Sequence, residues 1–274
     1  MTGRRRILVT NDDGIHASGL RWLAQAAVEA GFEVIVAAPD YEASGSSASL
    51  TAIYRDRRLT VTPTEFGLPI EAYSVQASPG YIVTLAVVGT FGRKPDLVLS
   101  GINRGANNGH VVLHSGTVGA ALTAANHGIP AMAVSLDVMP VDDSTGSLAV
   151  AQLSESLSTP LKYSASELAR QLLPTLDTLP NGTVLNLNVP NRPLAALAGV
   201  RQATLAPFGH VQMAIAETGE GYVRTTVERV TDRLAPDTDV ALLGDGYATV
   251  TVVTTVQEVS VALDLGPRDA QPVA

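Results

Sequence analysis

The chain contains no cysteine. That single absence removes disulfides, zinc–thiolate sites, iron–sulfur clusters and cysteine nucleophiles together. Any metal must therefore be held by oxygen or by histidine nitrogen. Lysine is nearly absent too, with 16 arginines against 2 lysines, and alanine is abundant; this reflects coding bias more than chemistry. Long apolar runs are missing: the longest are strand-sized, well short of the roughly 20 residues a membrane helix needs. Arg4, Arg5 and Arg6 resemble the basic start of a secretory signal, but only Ile7, Leu8 and Val9 follow before Thr10-Asn11-Asp12-Asp13. No signal core exists there, so the expectation is a soluble, cytoplasmic protein without a membrane partner. Basic residues are outnumbered by acidic ones, 18 to 26, for a net charge of -8. That balance argues against a nucleic-acid polymer or an anionic membrane surface as main partner. A small anionic substrate stays compatible, because one bound cation reverses the charge of a pocket. With 274 residues, 46% of them hydrophobic, the chain is long enough for one large domain, or one plus a smaller appendage.

What is present is ordered most clearly in the first forty residues. Arg6 to Thr10 is a short apolar, β-branched run of the kind a buried parallel strand requires. After the polar loop Asn11 to His16, Leu20, Leu23, Ala24, Ala27 and Val28 fall on one face of a helix that stops at Gly31. Glu33 to Ala38 is a second buried strand. Strand, helix, strand is a βαβ unit, with its loop at the carboxyl end of the first strand. A second unit runs from Leu97–Leu99 through a Gly- and Asn-rich loop, Gly101 to Ser115, into an alanine-rich helix from Thr117 to His127 and a strand from Ile129 to Leu136. Residues 51 to 82 alternate weakly and suggest antiparallel excursions. Further along, Ala165 to Leu176 fits a helix, Thr183 to Val189 a strand, and residues 200 to 260 read as β-structure. The expected fold is α/β with a mainly parallel sheet, and the expected division is a core over 1–195, a C-terminal β-rich extension over 196–265 and a disordered tail over 266–274.

Three polar loops each follow a buried strand and so meet on the carboxyl edge of a parallel sheet, where open α/β sheets bind ligands. They carry Asn11-Asp12-Asp13-Gly14, Ser44-Gly45-Ser46-Ser47 and Gly101-Ile102-Asn103-Arg104-Gly105-Ala106-Asn107. Two adjacent carboxylates with hydroxyl and amide oxygens form a hard ligand set suited to magnesium or manganese. The plainer alternative is that Asp-Asp-Gly is only a turn and helix start, and the serines a solvated loop. The third loop runs into Ser115-Gly116-Thr117 at a helix start, where free N–H groups and the helix dipole favour a phosphate. A Gly-x-Gly-x-x-Gly fingerprint after the first strand and a Walker lysine are both missing.

Ile-Leu-Val-Thr-Asn-Asp-Asp-Gly-Ile (7–15), Ala-Pro-Asp (38–40) with Ser44, Ser-Gly-Ile-Asn-Arg-Gly-Ala-Asn (100–107) and Ser-Gly-Thr-Val (115–118) resemble the SurE survival-protein family. Leu185 to Pro190 resembles a later segment of it. The resemblance implies a metal-dependent nucleoside monophosphate phosphatase whose catalytic core, residues 1–195, is Rossmann-like with three layers. It implies one divalent cation on Asp12, Asp13, Ser44 and Asn103, with Asp12 and Asp13 catalytic. It assigns the phosphate to Asn107, Ser115, Gly116 and Thr117, with Asn11 orienting the first loop. It also implies a homodimer or homotetramer built through C-terminal β-strands such as Tyr222 to Val230 and Tyr247 to Val256.

Departures from the family pattern surround the expected pocket. Ala77-Ser78-Pro79-Gly80-Tyr81 stands where the family has Gly-Thr-Pro-Ala-Asp. Ser47-Ala48-Ser49 lacks the usual Gly-His, and His110-Val111 stands where an Asp pair precedes Val-Leu. Tyr81, His110 and His114 are therefore possible substrate contacts, with either histidine a possible proton donor. His16 reads as a surface residue or one behind the ligands rather than a ligand, His127 as structural and Trp22 as packing, and His210 receives no role. The same departures leave two alternatives: a specialised phosphatase of a phosphorylated biosynthetic intermediate, or a non-catalytic nucleotide- or phosphate-binding protein.

Overall fold

The computed structural model describes residues 4–138, 159–209, 211–229 and 234–261. The expected disordered tail, the residue His210 and most of the stretch between Asp137 and Pro160 lie outside the described residues.

In chain order, β1 (Arg6–Thr10) leads through α1 (Ser18–Glu29) to β2 (Glu33–Pro39). A small hairpin, β3 (Tyr54–Arg55) and β4 (Arg58–Leu59), precedes β5 (Val61–Pro63) and β6 (Glu71–Val75). Then come α2 (Pro79–Val87), β7 (Leu97–Arg104), α3 (Gly116–Asn126), β8 (Ala131–Asp137), α4 (Thr159–Leu172), β9 (Thr183–Pro190) and β10 (Val200–Gln202). The hairpin β11 (Val211–Gly219) and β12 (Tyr222–Arg229), the short α5 (Asp239–Gly244) and β13 (Ala248–Thr254) complete the series.

Among the described residues nine strands form one sheet in the order β10-β13-β9-β8-β7-β1-β2-β6-β5. The six from β9 to β6 all run parallel; β5 and β13 pair antiparallel at either side. β1 is fully buried, as its unbroken apolar run requires. Its face towards α1 carries Ile7 and Val9, which pack with Leu20, Leu23 and α4's Leu168. On the opposite face Leu8 and Val98 pack with α2's Ile82 and Val83 and α3's Val118 and Ala121. This is the three-layer arrangement expected.

The strand order turns around at β1 and β7, so the crevice outside their carboxyl ends is the topological switch point. Two elements were not foreseen. α2 is apolar on every side, Pro-Gly-Tyr-Ile-Val-Thr-Leu-Ala-Val, so it carries no amphipathic period to read. α5 spans only six residues. β10 and β13 extend the main sheet, whereas β11 and β12 form a two-stranded sheet of their own.

Candidate active site

The β1–α1 loop is shaped by its own asparagine. Asn11, fully buried, accepts the Gly14 N–H at 3.2 Å and donates Nδ2 to the Gly14 carbonyl at 3.1 Å. Both bonds close the loop on itself. Asp12, 4% exposed, faces the start of α3. Its Oδ2 accepts the Thr117 N–H at 3.0 Å and its Oδ1 accepts the Thr117 hydroxyl. Burial pushes the Asp12 carboxyl up, while the Thr117 hydroxyl and the Thr117 and Gly116 N–H groups pull it back. The N–H groups at the start of α3 thus point at the carboxylate of Asp12. Gly116 permits this approach: a Cβ there would lie 2.4 Å from the Ser46 hydroxyl oxygen and 2.8 Å from Asp12 Oδ2. Ser115 closes the helix end by accepting the Val118 N–H at 3.1 Å.

Asp13 is held differently. Its side chain is 5% exposed and pairs with the Arg104 Nε at 3.2 Å; the Arg104 N–H donates at 3.3 Å. Burial first, and then the neighbouring Asp12 charge, push its carboxyl up to about 6 against the pull of Arg104. Two neighbouring buried carboxylates with one partly exposed cation beside them are short of positive charge.

The other expected ligands stand in the adjoining loops. The Ala43 N–H donates to the Asp12 carbonyl at 2.7 Å, which brings the serine loop to the β1 end; Ser44 is exposed and its hydroxyl donates to Glu42 at 3.0 Å. Asn103 follows a bulge in β7 and donates Nδ2 to the Gly105 carbonyl at 2.9 Å. Among the described residues, neither side chain hydrogen-bonds Asp12 or Asp13. The Ser46 hydroxyl is buried and without a partner. The donor set is therefore all oxygen, with two charged members, an orphaned hydroxyl beside them and a shortage of positive charge. This fits a divalent cation. No group of three or more His, Cys, Asp or Glu occurs among the described residues, so neutral oxygens would have to complete any coordination.

Asn107 is anchored on three sides. Its N–H donates to Asn188 Oδ1 at 2.7 Å, and its carbonyl accepts Nδ2 of Asn186 at 2.8 Å and of Asn188 at 2.9 Å. Its own Nδ2 donates to the Ser135 hydroxyl at 2.9 Å. The Gly109 N–H donates to Asp239 at 2.8 Å. These partners, like Arg104, had no role assigned from sequence. The polar alternation Asn186-Leu187-Asn188 in a buried strand was the available signal, since buried asparagines demand partners.

His110 and His114 are exposed and are fixed here through their backbones, His110 N–H to the Ala206 carbonyl at 3.0 Å and Ser47 N–H to the His114 carbonyl at 3.3 Å. Tyr81 meets the Tyr54 hydroxyl at 2.6 Å. The serine loop is tied to the start of α2, its Ser49 carbonyl accepting the Ser78 hydroxyl at 2.6 Å.

Comparison with known proteins settles the lineage. The family model described as Survival protein SurE matches residues 7–211. The chain belongs to the SurE family. It is 35% identical over 254 residues to the 5'-nucleotidase SurE of Carboxydothermus hydrogenoformans, covering 90% of this chain and 89% of that one. It is 35% identical over 252 residues to the 5'/3'-nucleotidase SurE of Erwinia tasmaniensis, again covering 90% and 89%. The crystal structure of the Sure protein from Aquifex aeolicus superposes with a TM-score of 0.71 at 25% identity, covering 91% of this chain and 93% of that one. The SurE resemblance and the Rossmann-like fold expected from the sequence are thereby borne out. Among the described residues, no helix is long and apolar enough to cross a membrane.

Proposed function

We propose that this SurE-family chain is a phosphomonoesterase that hydrolyses nucleoside monophosphates by direct attack of water. The observation that carries the reading is the Asp12–Asp13 pair, buried at the switch point of a parallel sheet and short of positive charge. The SurE relatives named as nucleotidases, matched over nine-tenths of the chain, support the same activity.

One divalent cation, magnesium or manganese, fits Asp12, Asp13, Ser44 and Asn103. When bound it supplies Lewis-acid charge for the phosphoryl oxygens and the attacking water. The protein's own groups do the rest. Asn11 fixes the loop that presents both carboxylates. Thr117 and the first turn of α3 orient Asp12, so its geometry needs no reorganisation during turnover. Asp13 takes the proton of the attacking water, and the leaving nucleoside oxygen takes one up from solvent. Arg104, beside Asp13 and 24% exposed, the second Nδ2 hydrogen of Asn107 and the Ser115 hydroxyl hydrogen receive the phosphate, while the Gly116 and Thr117 donors stay on Asp12. Tyr81, His110 and His114 lie outside this minimal set and bear on the leaving group.

The test is hydrolysis of AMP, a 3'-nucleotide, a sugar phosphate and p-nitrophenyl phosphate with magnesium or manganese. Turnover of the nucleotides above the others is expected. Phosphate binding with no hydrolysis of any ester would overturn the reading. Self-association, as a homodimer or homotetramer, is proposed through the β11–β12 hairpin, which forms its own sheet and exposes Ile215, Tyr222 and Val223; a monomeric mass at micromolar concentration would refute it.

A further inference from the structure

We infer that Asp239, far from the metal-type ligands in sequence, is a positioning residue for substrate: its carboxylate holds the 105–110 loop in the shape that meets the phosphate group. The inference rests on the phosphomonoesterase reading above.

Asp239 is fully buried. Its Oδ2 accepts the Gly109 N–H at 2.8 Å, while Oδ1 accepts the N–H groups of Ala206 at 3.0 Å and Val240 at 2.9 Å. Bonds from backbone N–H groups to an ionised carboxylate are stronger than neutral ones. One side chain, 130 residues from Gly109, therefore fastens the site loop to two C-terminal segments. The His110 N–H bond to the Ala206 carbonyl adds a second tie between the same segments. Gly109 has φ +57, and a Cβ there would lie 2.3 Å from the Phe208 carbonyl oxygen; the loop is pressed onto the C-terminal chain with no room for a side chain at that position. Two residues earlier, Asn186 and Asn188 grip the Asn107 backbone. The loop is thus fixed on both sides of Asn108. Loop position, not the ligand set for the cation, is what Asp239 controls.

One carboxylate oxygen holds the Gly109 N–H and the other the Ala206 and Val240 N–H groups, which makes Asp239→Asn a directed probe. An amide oxygen placed towards Ala206 and Val240 keeps both of those bonds, and the amide NH2 then faces the Gly109 N–H, donor against donor. The loop is released while the C-terminal turn stays. Thr238→Ala is the control. It removes the cap on the Ala241 N–H and the bond to the Ala235 carbonyl, destabilising α5 with the Gly109 bond intact.

Steady-state kinetics with AMP, inhibition by inorganic phosphate and the half-saturating cation concentration are to be measured for the whole chain. For Asp239→Asn, KM and the phosphate inhibition constant are expected to rise about tenfold, the loss of one hydrogen bond to a charged group. The cation requirement is expected to move less than about twofold, since the loop bond does not touch the ligands. Thr238→Ala is expected to lower Tm and leave both constants in place. Equal constants in the two variants, whether both raised or both unchanged, would overturn the inference. Should Asp239→Asn not fold, Asn188→Ala releases the same loop at Asn107 and must show the same rise. A wild type that binds phosphate without turnover removes the activity reading alone, and the phosphate dissociation constant then carries the comparison. A wild type that turns over AMP with Asp239→Asn unchanged removes the positioning inference alone.

Discussion

β1 and β7 lie side by side at the centre of the sheet, and each end of the pair carries carboxylates. At the carboxyl end, Asp12 and Asp13 are buried and pushed above the ordinary range, chiefly by burial. At the amino end, Asp96 just before β7 accepts the Arg6 N–H at 2.7 Å and pairs with Arg93 at 2.9 Å, and its carboxyl is held low. The Asp96 N–H in turn donates to the Arg6 carbonyl at 2.8 Å. One end satisfies its charges and ties two strands together. The other leaves negative charge uncompensated at the place where open α/β sheets bind ligands. Within one strand pair, stability and function are built at opposite ends.

The largest contrast should appear in turnover. Asp13→Asn is expected to lower kcat/KM for AMP by on the order of 10³, since the charge that would hold a cation is worth several kcal/mol in the transition state. Asp96→Asn should leave kcat/KM within about twofold, because distant, unshared sites behave independently. Turnover of Asp13→Asn close to wild type would break the comparison.

Cation binding comes next. Added manganese at about a hundred times its dissociation constant should stabilise the wild type by about 2.7 kcal/mol, seen as a rise in Tm. The rise should persist in Asp96→Asn and vanish in Asp13→Asn. In the absence of cation the order reverses: Asp13→Asn removes half of a repelling buried pair while keeping acceptor oxygen for Arg104, so its Tm should exceed wild type by about 2–4 °C. A lower Tm would mean that Arg104 already balances the pair.

Legibility in the sequence follows the same divide between local and distant causes. β1, α1 and β2 were readable because burial on both faces produces an unbroken apolar run and α1 has one apolar stripe. Asp12 and Asp13 were readable because a loop after a buried strand has a fixed place on the sheet edge. Their partners were not. Thr117 lies 105 residues from Asp12, and Asp239 lies 130 from Gly109; neither spacing leaves a periodic trace. Ser115 to Thr117 were read as a phosphate cradle from the helix-start chemistry and the family resemblance, and the same chemistry equally suits the carboxylate of Asp12, which the fold delivers there. α2 was missed for a different reason: its partly exposed face carries Tyr81, Leu85 and Val87 in place of charged residues, so it lacks the polar face that marks amphipathic helices.

The smallest effect belongs to Asp96 and is read in acid. Because its carboxyl is held below the usual 3.8, first by the Arg6 N–H and then by Arg93, the ionised form favours the folded chain over the unfolded one. That contribution is complete above the usual carboxylate range and is lost as pH falls through the lower folded value. The side chain is 37% exposed, so solvent screens the ion pair and the contribution stays under about 1 kcal/mol. Urea midpoints followed from about pH 5 to pH 3 should therefore fall slightly less steeply in Asp96→Asn than in the wild type. An acid limb as steep in the variant as in the wild type would show that the Asp96 carboxylate gains nothing from Arg6 and Arg93.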